Sequence, residues 1–151
     1  LPVCILLFLS LLLLQCGPSA SLEDSNAPNV VNNRLKNIKA AYSKTSDRTT
    51  IEYVRETSDE TSGTYTIVLS GKPKRGVLPF KVAPKPDEKA ALGMANLREG
   101  QYTFFKGHLK LNSARKTLSG KISGQMVSQG RTDTLTISEI SFRKLAYAEI
   151  R

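Results

Sequence analysis

Cysteine is scarce and placed where it cannot brace a fold: the chain has two, Cys4 and Cys16, both near its start. Everything after residue 16 must fold without an internal disulfide, unlike the stapled scaffolds of small eukaryotic secreted domains. No Asn-x-Ser/Thr sequon occurs, which excludes N-glycosylation. Histidine is limited to His108. A Ser-His-Asp or Cys-His arrangement would have to use that one residue, and a transition-metal site needs several His or Cys ligands. No Asp-x-Asp-x-Asp-Gly calcium loop and no glycine-rich loop leading from a strand into a helix is present. The expectation is a protein with no catalytic residues, no metal and no cofactor.

What the chain does have is an oily opening. From Val3 to Leu14 it is almost wholly apolar and carries no charge. Secretory signal peptides have apolar regions of roughly 7–15 residues, whereas a membrane-spanning helix needs about 20. The stretch therefore reads as an export signal over residues 1–16. The start at Leu1, with no Met and no Lys or Arg before the apolar run, reads as a precursor that has lost its first residues.

Two processing routes follow. Leu13-Leu14-Gln15-Cys16 resembles the lipobox of bacterial lipoproteins, departing from it at Gln15, where that family prefers Gly, Ala or Ser. The resemblance implies that Cys16 is acylated on sulfur and becomes the new N-terminus, anchored to the membrane. The alternative is ordinary cleavage near Ser19-Ala20-Ser21, which would release a secreted protein. With no disulfide and no sequon, the expected place is a bacterial envelope: outer membrane, periplasm or cell surface.

Residues 17–29 are rich in Ser, Asn, Asp and Pro and read as a flexible tether. Residues 30–151 have the length of one domain, large enough to bury a core without covalent staples. The chain carries a net charge of +9, none of it from the leader. Between Lys72 and Arg131 thirteen basic residues stand against three acidic ones, a local excess of +10. The bland reading is a solvated surface; the functional one is attraction to an anionic lipid or glycan.

Hydrophobic spacing sets the fold class as mainly β. Val31, Leu35, Ile38 and Tyr42 follow a helical 4-3-4 spacing, while Ile38, Ala40 and Tyr42 also alternate as in a strand; the helix is favoured. Arg48 to Ser70 alternates with period two around a polar turn at Ser58–Gly63 and predicts a β-hairpin. Pro86, Asp87 and Glu88, followed by Ala90, Met94 and Leu97, predict a second short helix ahead of Gly100. The last third predicts three strands: one with Phe105, Gly107, Leu109 and Leu111 inward, one with Leu118, Gly120, Ile122, Gly124 and Met126 inward, and Thr134–Phe142. In the third, the inward set shifts from Leu135 and Ile137 to Ile140 and Phe142, which implies a bulge near Ser138-Glu139. The expected architecture is an antiparallel meander rolled into a barrel or sandwich, with one or two short helices, α+β being the alternative. Gly107-His108-Leu109-Lys110-Leu111 and Thr117-Leu118-Ser119-Gly120-Lys121-Ile122-Ser123-Gly124 resemble the final hairpins of small β-rich bacterial envelope lipoproteins of uncharacterised function, and that resemblance implies no activity.

One surface constellation stands out. Tyr102, Phe104, Lys106, His108 and Lys110 alternate opposite Phe105 and Leu109, and aromatics interleaved with cations make stacking platforms for anionic ligands. The competing and preferred reading buries Tyr102 and Phe104, because aromatic side chains mostly contribute to cores. Nucleic acid is not expected as a partner of an exported protein. Three functions are carried forward: a non-catalytic, lipid-anchored envelope module that binds or supports a partner; a lipocalin-like carrier of a small apolar ligand in a barrel pocket; and, last, a hydrolase using carboxylates such as Glu52 and Glu56.

Overall fold

The computed structural model describes residues 35–114, 116–130 and 133–151. The leader, Cys16 and the 17–29 tether lie outside the described residues. Eight strands follow one another: β1 (Leu35–Ser43), β2 (Arg48–Arg55), β3 (Gly63–Ser70), β4 (Gly76–Pro79), β5 (Ala91–Leu97), β6 (Gly100–Ala114), β7 (Thr117–Ser128) and β8 (Thr134–Ile150). They form one sheet in the order β4-β6-β5-β3-β2-β1-β8-β7, and β6 also pairs with β7, so seven strands close into a barrel. All the pairs of the ring are antiparallel except β1 with β8, which run parallel from Ala40 opposite Tyr147 to Ser43 opposite Ile150. β4 stands outside the ring order. It takes His108–Leu111 on the same edge of β6 whose Gly100–Thr103 pairs with β5.

Neither expected helix is present among the described residues. In β1 the register with β2 slips between Lys36 and Lys39, where Asn37 takes a left-handed φ of 48°. One extra residue there moves the inward set from Leu35 to Ile38, Ala40 and Tyr42, so a bulged strand shows a three-residue step that mimics a helix in the sequence. The second case is a turn followed by a strand. Glu88 accepts the Lys85 N–H through its carboxylate at 3.2 Å and pairs with Lys81, and β5 then puts Ala91, Gly93, Ala95 and Leu97 inward with Met94 outward. The expected hairpin is β2 with β3, in unbroken register from Arg48 opposite Ser70 to Arg55 opposite Gly63. The expected bulge is present too: Ile122 pairs with Ile140 and Gly124 with Ile137, which leaves Ser138 and Glu139 as the irregularity in β8.

Large side chains fill the barrel. Tyr53 and Tyr65 stack with centroids 4.8 Å apart, and Phe80 stacks on Phe104 at 4.4 Å. Phe142, Ile51, Ile67, Leu109, Leu118 and Ile122 are fully buried around them. Gly93 makes room for the phenylalanine pair: a Cβ there would lie 2.7 Å from the Phe104 ring and 2.9 Å from the Phe80 ring. Gly107 sits at φ 115°, and a Cβ on it would run into the backbone of Ser123 and Gly124 on β7, so this crossing admits only glycine. The hydroxyl of Tyr53 is buried with no hydrogen-bond partner among the described residues.

The β2–β3 turn is held by Asp59. Its carboxylate accepts the Thr57 hydroxyl at 2.6 Å, the Thr61 N–H at 2.9 Å and the Thr61 hydroxyl. Tyr65 in turn donates its hydroxyl to the Thr61 carbonyl at 2.6 Å, tying the turn to the stacked pair. Hydrogen bonds from Thr57 first, then Thr61, draw the Asp59 pKa from 3.8 to about 2.

Two outcomes follow from this packing. A carboxyl whose folded pKa is depressed stabilises the fold above its unfolded pKa, and that stabilisation is lost as the pH falls through the folded value. Acid unfolding followed by circular dichroism should therefore show a component between pH 3.8 and about 2 that Asp59→Asn removes. Tyr53→Phe deletes an unpaired buried hydroxyl and keeps the stacked ring, so the urea midpoint should hold or rise, by up to about 1 kcal/mol. A clear loss of stability would show that the hydroxyl is paired in solution.

Candidate functional site

β6 carries the residues that the sequence singles out, and a bulge divides them. Its register against β7 slips between Phe104 and Lys106, so Phe105 is the extra residue. Before the slip even-numbered residues point inward: Tyr102 and Phe104 are 3% and 0% exposed. After it Leu109 and Leu111 point inward, and Lys106, His108 and Lys110 stand outside. The five residues do not form one platform. Tyr102 and Phe104 belong to the core, while Phe105, expected inward, lies on the outer face at 39% exposure.

The outer row on β6 has neighbours on both sides. On β4, Pro79 lies opposite His108 and Val77 opposite Lys110. On β7, Gln125, Ser123 and Lys121 lie opposite Lys106, His108 and Lys110. Met94 on β5 lies opposite Thr103, one outward step from Phe105. Val77, Met94 and Phe105 are three of the large apolar side chains that remain exposed; Val77 and Phe105 adjoin this cationic row, and Met94 lies beyond Phe105 toward the start of β6.

Charge pairing is uneven around the barrel. Glu56 pairs with Lys36 at 2.6 Å, Glu52 with Lys39 at 2.7 Å, Glu149 with Lys44 and Lys72, and Glu139 with Lys121 at 2.9 Å. Glu52 and Glu56, the sequence's candidate carboxylates, are thus engaged in outer-face ion pairs. By contrast Lys106, Lys110, Arg75 and Arg143 have no ion-pair partner among the described residues.

Arg75, Lys110, Lys121 and Arg143 meet at a groove of about 410 Å³ that crosses β4, β6, β7 and β8 on the outside of the barrel. Glu139 is the acidic residue in its lining. A second cleft of about 380 Å³, between the β3–β4 connection and residues 87–90, sets Lys74 and Lys89 against Asp87 and Glu88. The sequence reading missed Arg75, Lys121 and Arg143 as members of a site, because they approach Lys110 only through strand pairing. The inside-out placement of Phe105 did leave a signal: the apolar residues change parity between Phe104 and Leu109, as they do in β8.

The fold and this face define a small closed β-barrel with a packed interior and a cationic outer surface. Comparison of the chain with protein-family models, with curated proteins and with solved structures gives no match.

The bulge separates two adjacent phenylalanines by energy as well as by side. Phe104→Ala should cost about 3–5 kcal/mol in urea unfolding, the range for emptying a core aromatic site. Phe105→Ala should stay within about 0.5 kcal/mol, as for an exposed substitution. Equal losses would place both rings in the core.

Proposed function

We propose that this protein is a non-catalytic module of the bacterial envelope, tethered by a lipid on Cys16, whose outer β4–β6–β7 face docks on an anionic membrane surface. The observation that carries the reading is the cationic row of Lys106 and Lys110, extended by Arg75, with no ion-pair partner among the described residues and with Val77 and Phe105 exposed beside it. Each Lys or Arg close to an anionic leaflet contributes about 1 kcal/mol, and exposed apolar side chains add burial in the headgroup layer. From Cys16 to Leu35 the chain reaches at most about 65 Å, enough to offer any side of the barrel to the bilayer. An anchor alone therefore leaves the orientation open, and the charged face supplies it.

The carrier reading draws on the same closed barrel. Against it stand the stacked tyrosine and phenylalanine pairs, which occupy the space a ligand would need, so the outer face is the better supported site.

With Cys16→Ala separating surface from anchor, the protein should co-sediment with phosphatidylglycerol vesicles and not with phosphatidylcholine vesicles. Binding should fall steeply as salt rises from about 0.05 M to about 0.5 M, where the Debye length shrinks to a few Å. Lys106→Glu combined with Lys110→Glu should abolish it. Equal binding to both vesicle types would defeat the docking reading. In cells, a wash at about 0.5 M salt should release Cys16→Ala from the membrane fraction and leave the wild type in place; retention of the variant through that wash would defeat lipidation.

A further inference from the structure

Lys110 and Lys121 are direct partners across β6 and β7, both exposed on the outer face. Like charges directly opposite each other destabilise a strand pair. Glu139 lies 2.9 Å from Lys121 and offsets one of the two, while Lys110 has no ion-pair partner among the described residues. Arg75 precedes Gly76, the partner of Leu111, which brings it level with Asn112, so a third cation enters from β4. Arg143 enters from β8, at a register slip against β7 between Leu118 and Gly120. Four cations against one carboxylate leave the groove at a net of +3.

The neutral donors are arranged to match. Asn112 pairs with Ser119, and Lys121 with Ser141, so an amide and two hydroxyls lie between the cations along the floor. The Ser119 hydroxyl accepts the Lys144 N–H at 3.0 Å, which leaves its own proton to donate outward. Val77, 61% exposed, adds apolar surface beside the donors, while Leu111 and Phe142 close the groove from the core side and Gly120 leaves its floor without a side chain. Cations with two or more hydrogen-bond donors suit a phosphate, which binds guanidinium and ammonium groups through short charge-assisted hydrogen bonds. Hydroxyl and amide donors next to apolar surface suit the edge and face of a sugar ring. At about 410 Å³ the groove is of the size that takes one small ligand.

We infer that the groove between β4, β6, β7 and β8 is a binding site for a phosphorylated sugar, free or carried as a lipid headgroup. The inference deepens the docking reading, since Lys110 serves both, yet it makes a separate demand: a defined ligand in place of a diffuse charged surface.

The test is a chemical-shift titration of the full chain. Glucose 1-phosphate should shift the amides of Lys110, Ser119, Lys121 and Arg143, and glucose should not. Lys110→Gln and Arg143→Gln should each weaken binding roughly tenfold, about the worth of one charge-assisted hydrogen bond. Lys85→Gln, outside the groove, should leave it unchanged. No shifts at these amides, or wild-type affinity in both groove variants, overturns the site. Tighter association with vesicles bearing phosphatidylinositol 4-phosphate than with phosphatidylglycerol vesicles of equal charge supports a lipid-borne headgroup; equal association supports a free sugar phosphate. Glucose 1-phosphate binding without vesicle association keeps the groove and removes the docking reading. Vesicle association without glucose 1-phosphate binding does the reverse.

Discussion

Closing seven strands into a ring is the constraint from which the rest follows. Closure requires the strands to tilt and coil, and a coiling strand cannot keep strict alternation over its whole length and still face the same interior. This barrel resets the alternation with one-residue bulges: at Asn37–Ile38 in β1, at Phe105 in β6, and twice in β8, near Ser138–Glu139 and near Arg143–Lys144. Each adds a residue to one strand against its partner, and each returns the next apolar side chain to the core. Leu35 and Ile38, Phe104 and Leu109, Ile137 and Ile140, and Phe142 and Leu145 are the pairs on either side of these resets. Gly107, just beyond the β6 bulge, sits where a Cβ would run into the β7 backbone at Ser123 and Gly124.

A ring of this size leaves an interior that side chains alone can fill, since about eight strands enclose roughly that width. Two stacked aromatic pairs and a belt of Ile and Leu take up the space. The functional consequence is topological. With the inside committed to packing, the outer wall carries the side chains left to solvent, and there the bulge that drives Phe104 inward pushes Phe105 outward beside Lys106. Core packing and surface chemistry on β6 are thus set by the same inserted residue.

That coupling also explains what could be read in the chain and what could not. The β2–β3 hairpin was legible because both strands keep period two without interruption. The β8 bulge was legible because Ile137 and Ile140 expose the change of parity. The same change between Phe104 and Leu109 was masked by Phe105, an apolar residue that fits an unbroken alternation as well as a bulged one. In β1 the step from Leu35 to Ile38 has the length of a helical turn, and only pairing with β2 decides between the two. Lys106, His108 and Lys110 were visible as a row along one strand. Their lateral neighbours were not, because Arg75, Lys121 and Arg143 reach the row through β4, β7 and β8, and no local spacing encodes which strands lie side by side.

Charge on the outer wall is not evenly compensated. Elsewhere on the barrel, lysines stand next to carboxylates: Lys36 with Glu56, Lys39 with Glu52, and Lys44 and Lys72 with Glu149. These exposed pairs contribute little each, a median of about 0–1 kcal/mol, but they leave little local field. At Lys110 and Lys121 two lysines sit opposite each other in register, and among the described residues Glu139 pairs with Lys121 alone. Solubility needs charge but not like charge in register, and such a pair costs stability. An anion bridging the two strands would offset that cost, because it would meet both lysines at once.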